Sequence, residues 1–144
     1  MRAQLSAARG VLVDSNVLLD ISTQDPHWGE WSRTAVAECA EQTALIINPI
    51  IYAEVSVRYT TIEELDAALP ETLLQREPLP WEAGFLAGKC FRAYRLRGGL
   101  RNRPLPDFYI GAHAAIGRLA VLTRDAARYH TYFPTVAILA PRRM

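Results

Sequence analysis

The sequence predicts an α/β fold: a parallel sheet with helices on both faces. Short, wholly apolar, β-branched runs recur along the chain, of which Val11-Leu12-Val13 and Leu45-Ile46-Ile47 are the clearest. Segments with apolar residues at helical spacing separate them. Residues that start helices follow several of the runs directly, as in Asp14-Ser15-Asn16 and Asn48-Pro49. Alternation of this kind is the pattern of strand–helix–strand units joined in one sheet. Right-handed crossovers then gather consecutive strand ends along one edge.

Each element has a local reason. Residues 10–13 are too short and too β-branched for a helix and read as a buried strand. Asp14-Ser15-Asn16 offers N-cap oxygens to a helix that begins with Val17-Leu18-Leu19. A turn at 25–29 leads to an amphipathic helix over 31–42, with Trp31, Ala35, Cys39 and Ala40 on or near one face. Residues 44–47 form a second apolar strand. Pro49 suits the first turn of the next helix, which the pattern carries to about residue 59. Thr61 and Glu64 have the spacing of a capping box for a short helix over 62–69, ended by Pro70. Residues 72–77 read as a weak edge strand. Trp81 begins a long helix to residue 96, with Phe85, Leu86, Cys90, Phe91 and Tyr94 at helical spacing and Gly84 and Gly88 stacked for close packing. Asp107 starts a helix whose Ile110, Ala114 and Ile116 pack inward. Strands at 119–122 and 136–139 flank a short turn that contains Tyr129.

A chain of 144 residues, half of them apolar, is one domain, expected to have its core over about 11–139 and short flexible termini. No apolar run reaches the ~18 residues of a membrane span, and no signal peptide is legible at the start. Cys39 and Cys90 are isolated and fit reduced thiols in a cytoplasmic setting rather than a disulfide framework or a zinc knuckle. The net charge is only +1, but Lys89, Arg92, Arg95, Arg97, Arg101 and Arg103 follow one another with no acid between them. The glycine-rich part of this run, 97–106, is the one long loop. A solvated helix face would explain the charges. A phosphate-gripping loop is the alternative, and it needs the carboxylates beside it, with Arg97, Arg101, Arg103 and also Arg124 as the candidate contacts.

Four acids decide between those readings. Asp14 stands at the carboxyl end of a strand, where parallel sheets build ligand sites. Glu54 interrupts an apolar run one helical turn past another strand end. Asp107 starts a helix straight after the basic loop, and Asp125 follows a strand behind Thr123. Taken singly, each has a bland explanation as a helix cap or a surface acid. Taken together, they converge on one sheet edge, where unneutralised carboxylates repel one another. A hard divalent ion with oxygen ligands resolves that conflict, Mg²⁺ or Mn²⁺ before zinc, because no histidine and cysteine grouping accompanies them. Such a centre hydrolyses phosphodiesters with a metal-activated water. Ser15 has no histidine partner for a triad, His113 reads as a packed or surface residue, and no phosphate-loop motif is present.

Val13-Asp14-Ser15-Asn16-Val17-Leu18-Leu19, Tyr52-Ala53-Glu54-Val55, Pro106-Asp107-Phe108-Tyr109-Ile110-Gly111-Ala112 and Leu122-Thr123-Arg124-Asp125 resemble, in order and spacing, the motifs of the PIN-domain family. Within it the chain resembles the VapC-type toxin ribonucleases of toxin–antitoxin pairs. The resemblance implies a three-layer α/β/α sandwich around a parallel sheet of four to five strands. It implies an Mg²⁺- or Mn²⁺-dependent endoribonuclease with Asp14, Glu54, Asp107 and Asp125 as the catalytic, metal-binding acids. Asn16 and Thr123 would support them by hydrogen bonding. It also implies a homodimer inhibited by a small VapB-like antitoxin. Two other functions share the same acids: a regulatory module acting with a DNA-binding antitoxin, and a structure-specific DNA nuclease.

Overall fold

A computed structural model describes residues 5, 7–99 and 105–142. Arg101 and Arg103 of the basic loop, most of the expected N-terminal tail and the last two residues lie outside the described residues. Five parallel strands form one sheet: β1 (Val11–Val13), β2 (Leu45–Ile47), β3 (Leu74–Arg76), β4 (Ala120–Leu122) and β5 (Ile138–Leu139). Their order is β3-β2-β1-β4-β5. The chain thus winds outward from β1 to β3, then returns across the sheet to β4 and β5. With right-handed crossovers, that reversal sends helices to opposite faces and leaves a crevice between the carboxyl ends of β1 and β4.

Among the described residues the helices with defined bounds are α1 (Ser15–Ser22), α2 (Gly29–Gln42), α3 (Pro49–Ser56), α4 (Ile62–Ala68), α5 (Trp81–Leu96), α6 (Leu105–Gly117) and α7 (Ala127–His130). The β1, β2 and β4 residues are wholly buried, as a sheet covered on both faces requires. At Gly10 the chain passes so close to its neighbour that an added Cβ would lie 2.8 Å from Ile46 Cδ1 and 3.1 Å from the Ala44 carbonyl oxygen. Gly111 is needed for a similar reason: a Cβ there would overlap the Phe133 ring. Among the described residues no helix is long and apolar enough to cross a membrane. Both cysteines are unpaired, and burial pushes the Cys39 thiol up to about 11.

Local caps explain most boundaries. Asp14 caps α1 through the Ser15 N–H, Asn48 caps α3 through the Ile51 N–H, and Thr61 caps α4 through the Glu64 N–H. The differences from expectation also have physical causes. Helix α3 stops at Ser56 because Arg58 and Tyr59 donate to the carbonyls three residues back, which tightens the chain into turns. Strand β5 begins only at Ile138, since the Val136 N–H is spent on Phe133 in a turn. Helix α6 begins at Leu105, so Asp107 is its third residue rather than its first. Ala40 is exposed, and Phe85 is 70 % exposed beside a 90 % exposed Trp81. Ala83 and Ala87 are the fully buried positions of α5 and let it lie close on α6, while Leu86, Cys90, Phe91 and Tyr94 of the expected stripe pack partly buried against the core. Of the two stacked glycines, Gly84 meets Tyr109, while a Cβ on Gly88 would meet nothing.

Candidate active site

The crevice between the ends of β1 and β4 is built around Asp14. Its β1 strand is the centre of the sheet, and its N–H donates to the Leu122 carbonyl, which extends the ladder by one residue. The carboxylate is fully buried. Its Oδ1 accepts from the Ser15 N–H at 2.8 Å. Its Oδ2 accepts from the Thr123 hydroxyl at 2.9 Å and from the Tyr129 hydroxyl at 2.7 Å. A buried carboxylate is tolerated only with this kind of support. Burial first, and then Asp14 itself, hold the Tyr129 phenol well above its ordinary range, so it remains a proton donor.

Thr123 is a junction. While donating to Asp14, its Oγ1 accepts from Asn16 Nδ2 at 3.2 Å and from the Asp125 N–H at 3.1 Å. Asn16 completes the link by accepting the Arg124 N–H at 3.4 Å. The hydrogen bonding expected of Asn16 and Thr123 is therefore present, and it ties the start of α1 to the segment that carries Asp125.

The other acids arrive on helices. Glu54, half-buried on α3, accepts the Ser15 hydroxyl at 3.0 Å. Burial raises its carboxyl above the usual range. The Ser15 bond opposes that shift, while Asp14 and Asp107 add to it. Asp107 is buried at the start of α6. Asp125 is about half exposed, with a side-chain accessibility of 49 %.

One side chain that sequence reasoning did not single out links three of the four. The Arg128 Nη1 lies 3.4 Å from Asp107 Oδ1 and 3.8 Å from Asp14 Oδ2, and its Nε lies 3.3 Å from Asp125 Oδ2. Burial works against the guanidinium charge, but the surrounding acids, Asp107 foremost, outweigh it and raise its pKa. Tyr129 and Ser15 were likewise not assigned to the site. The only clue was local: Arg128 follows Asp125 by three residues, the spacing of a one-turn ion pair. Nothing in that spacing points to Asp14 or Asp107.

The structure thus brings Asp14, Glu54, Asp107 and Asp125 to one crevice. Among the described residues, however, no three such side chains are drawn tightly enough to hold an ion. Asp14, Asp107 and Asp125 lie around the Arg128 guanidinium. Their chemistry still fits a hard divalent cation: the donors are carboxylate oxygens, with no thiolate or imidazole in the contacts described. Of the expected RNA contacts, Arg97 is exposed at the end of α5, with its guanidinium 5.7 Å from the Tyr132 ring centroid. Arg124 is tied down instead. Its Nε donates to the buried Asp20 at 2.8 Å, and its guanidinium lies 5.9 Å from the Trp28 ring centroid.

A family model described as PIN domain matches residues 11–134 of the chain. No curated protein matches it. Among solved structures, a chain in VapBC2 from Rickettsia felis bound to a fragment of promoter DNA superposes with a TM-score of 0.70 at 14 % identity, covering 90 % of this chain and 97 % of that one. A chain in VapBC-1 from nontypeable Haemophilus influenzae gives 0.68 at 16 %, covering 90 % and 96 %. A chain in a toxin–antitoxin complex from Klebsiella pneumoniae gives 0.65 at 21 %, covering 94 % and 100 %. At these identities the likeness is one of fold.

Proposed function

The chain belongs to the PIN domain family, and from that premise we propose that it is a Mg²⁺- or Mn²⁺-dependent endoribonuclease, the toxin of a type II toxin–antitoxin pair. Proteins of this family are nucleases that generally use divalent metal ions. The observation that carries the reading is the meeting of Asp14, Asp107 and Asp125 around one guanidinium, with Glu54 joined to Asp14 through Ser15. Four carboxylates from four segments have no scaffolding need to share a crevice, and together they demand a cation.

Asp14, Glu54, Asp107 and Asp125 would hold the metal, whose Lewis acidity would activate a water and steady charge at phosphorus. Tyr129, Thr123 and the Ser15 N–H fix the Asp14 carboxylate in one orientation. Ser15 fixes Glu54 against it. Arg97, Arg101 and Arg103 border the approach to Asp107 in sequence and would grip the RNA backbone, whereas Arg124 is engaged by Asp20. Backbone contacts of this kind make binding strongly salt-dependent. The partner reading rests on the fold neighbours, which come from toxin–antitoxin complexes. On that reading the chain is a cytoplasmic homodimer held inactive by a VapB-like antitoxin.

The test is cleavage of total RNA by the purified chain with Mg²⁺ or Mn²⁺, beside Asp107→Asn and beside EDTA. Cutting that needs both the ion and Asp107 is expected. Single-stranded and flap DNA in parallel lanes separate the DNA-nuclease alternative. Growth arrest on expression, relieved by Asp14→Asn, separates a toxin from a module that only serves a DNA-binding partner. Intact RNA under every metal condition, with no Mn²⁺ bound, would sink the reading.

A further inference from the structure

The Arg128 geometry differs from that of a structural ion pair. Where a guanidinium in this protein is locked, its bonds are short: Arg9 Nη1 and Nη2 reach Glu77 at 2.6 and 2.8 Å. Charge-assisted N–H···O bonds settle at about 2.7–2.9 Å when geometry allows. Arg128 stands at 3.3, 3.4 and 3.8 Å from three different carboxylates. It occupies a compromise position set by their summed field, with no single acid holding it.

Its mounting allows it to leave. Arg128 sits on the four-residue α7, whose position is pinned by the next residue, since Tyr129 is fully buried and bonded to Asp14. The Arg128 side chain itself is 31 % exposed. A long, partly exposed stem can turn toward solvent while its helix stays in place. The oxygens it faces, Asp107 Oδ1, Asp14 Oδ2 and Asp125 Oδ2, belong to the carboxylates assigned above to the metal. A guanidinium and an ion cannot both sit among them.

We propose that Arg128 is a built-in counter-cation, which occupies the acidic crevice in the metal-free protein and must swing out before a divalent ion can enter. This rests on the metal-dependent reading above and adds a threshold to it. The affinity seen from solution is the intrinsic affinity reduced by the fraction of molecules in which Arg128 is out. The acids of the metal-free protein are thereby spared much of their mutual repulsion, and weakly held or scarce ions are turned away.

The experiment is calorimetric titration of Mn²⁺ into wild type, Arg128→Gln, Arg128→Lys and Arg33→Gln, with melting curves in EDTA and in saturating Mn²⁺. Arg33 is an exposed residue of α2 and controls for loss of a distant charge. If Arg128 fills the crevice nine times in ten, Arg128→Gln binds Mn²⁺ about tenfold more tightly. It also melts lower than wild type in EDTA and gains more from the ion, while Arg33→Gln matches wild type and Arg128→Lys falls between. Unchanged or weaker Mn²⁺ binding by Arg128→Gln, with wild type binding normally, overturns the inference and leaves the metal site standing. Weaker binding would make Arg128 a holder of Asp125. Mn²⁺ binding by Arg128→Gln alone, with wild type silent, supports it most strongly. Silence in all four proteins removes the metal reading and this inference together.

Discussion

Two of the partly buried polar clusters in this fold are built in opposite ways. In the first, Asn48 caps α3 with its oxygen and gives its Nδ2 to His113 Nδ1 at 3.0 Å. That arrangement leaves the proton on His113 Nε2, which faces Glu77 at 3.4 Å. Glu77 is in turn gripped by both arms of Arg9. Burial holds the His113 imidazole below its ordinary range, so it is neutral and serves as a spacer rather than a charge. Every group has a partner, and the one anion has one cation. In the second cluster, the carboxylates of Asp14, Asp107 and Asp125 lie around the Arg128 guanidinium at 3.3 to 3.8 Å, and Glu54 joins them through Ser15. A closed network in which each charge has its own counter-charge stiffens a core. An open one with surplus charge is a site waiting for something to neutralise it. The first cluster joins α3 to α6, the helices that deliver Glu54 and Asp107, and so braces the second.

The sharpest way to break the contrast is at Asp14. Asp14→Asn should cut nuclease activity by more than about a hundredfold, since losing even groups that orient metal ligands costs 10–100-fold. Asp14→Ala should also cost about 3 kcal/mol in urea denaturation, because the buried Tyr129 hydroxyl loses its acceptor. Normal activity in Asp14→Asn would remove this residue from the site.

Next in size is the response to metal. At a hundred times its dissociation constant, Mn²⁺ should stabilise the wild type by about 2.7 kcal/mol. The gain should vanish in Asp107→Asn and on adding EDTA. A mutant that responds as wild type does would show that the ion binds elsewhere.

The bracing cluster should fail differently. His113→Leu strands the Asn48 amide and should cost about 2 kcal/mol of stability. Mn²⁺ affinity of the folded fraction should stay within a few-fold of wild type. A large loss of affinity with little loss of stability would place His113 in the active site after all.

The smallest effect tests the surplus charge itself. The Glu54 carboxyl is raised in the fold, mainly by burial. A raised acid favours the folded state while protonated, and that contribution is withdrawn as pH climbs through its folded value. Metal-free Glu54→Gln should therefore be more stable than wild type at neutral pH, by about 0.5–2 kcal/mol, with the difference closing in acid below the ordinary carboxylate range. Mn²⁺ affinity of the wild type should rise with pH across the same window, because the ion needs the ionised form. Equal stability of the two proteins at pH 7 would mean that Glu54 is comfortably solvated.

The strands, most helices and the positions of the four acids were legible in the sequence because each depends on near neighbours. Apolar runs of three or four residues mark covered parallel strands, and Asp14, Asn48 and Thr61 cap their helices through N–H groups within three residues. The reversal of winding that opens the crevice follows from strand order, which no local pattern encodes. Side-chain partnership lay further out of reach. Tyr129 meets Asp14 across 115 residues, Thr123 across 109 and His113 meets Asn48 across 65. Before folding, Arg128 is one arginine among many and Phe85 one apolar residue on a helical stripe. Only the packed structure decides that Ala83 and Ala87 are the fully buried positions of α5 while Phe85 faces outward. Only the summed field of acids carried by separate segments draws Arg128 into their midst. The sequence determined which groups could do chemistry, through local rules of capping and burial. Tertiary structure decided which of them share a volume, because electrostatic partnership depends on distance in space and the chain's spacing is silent about it.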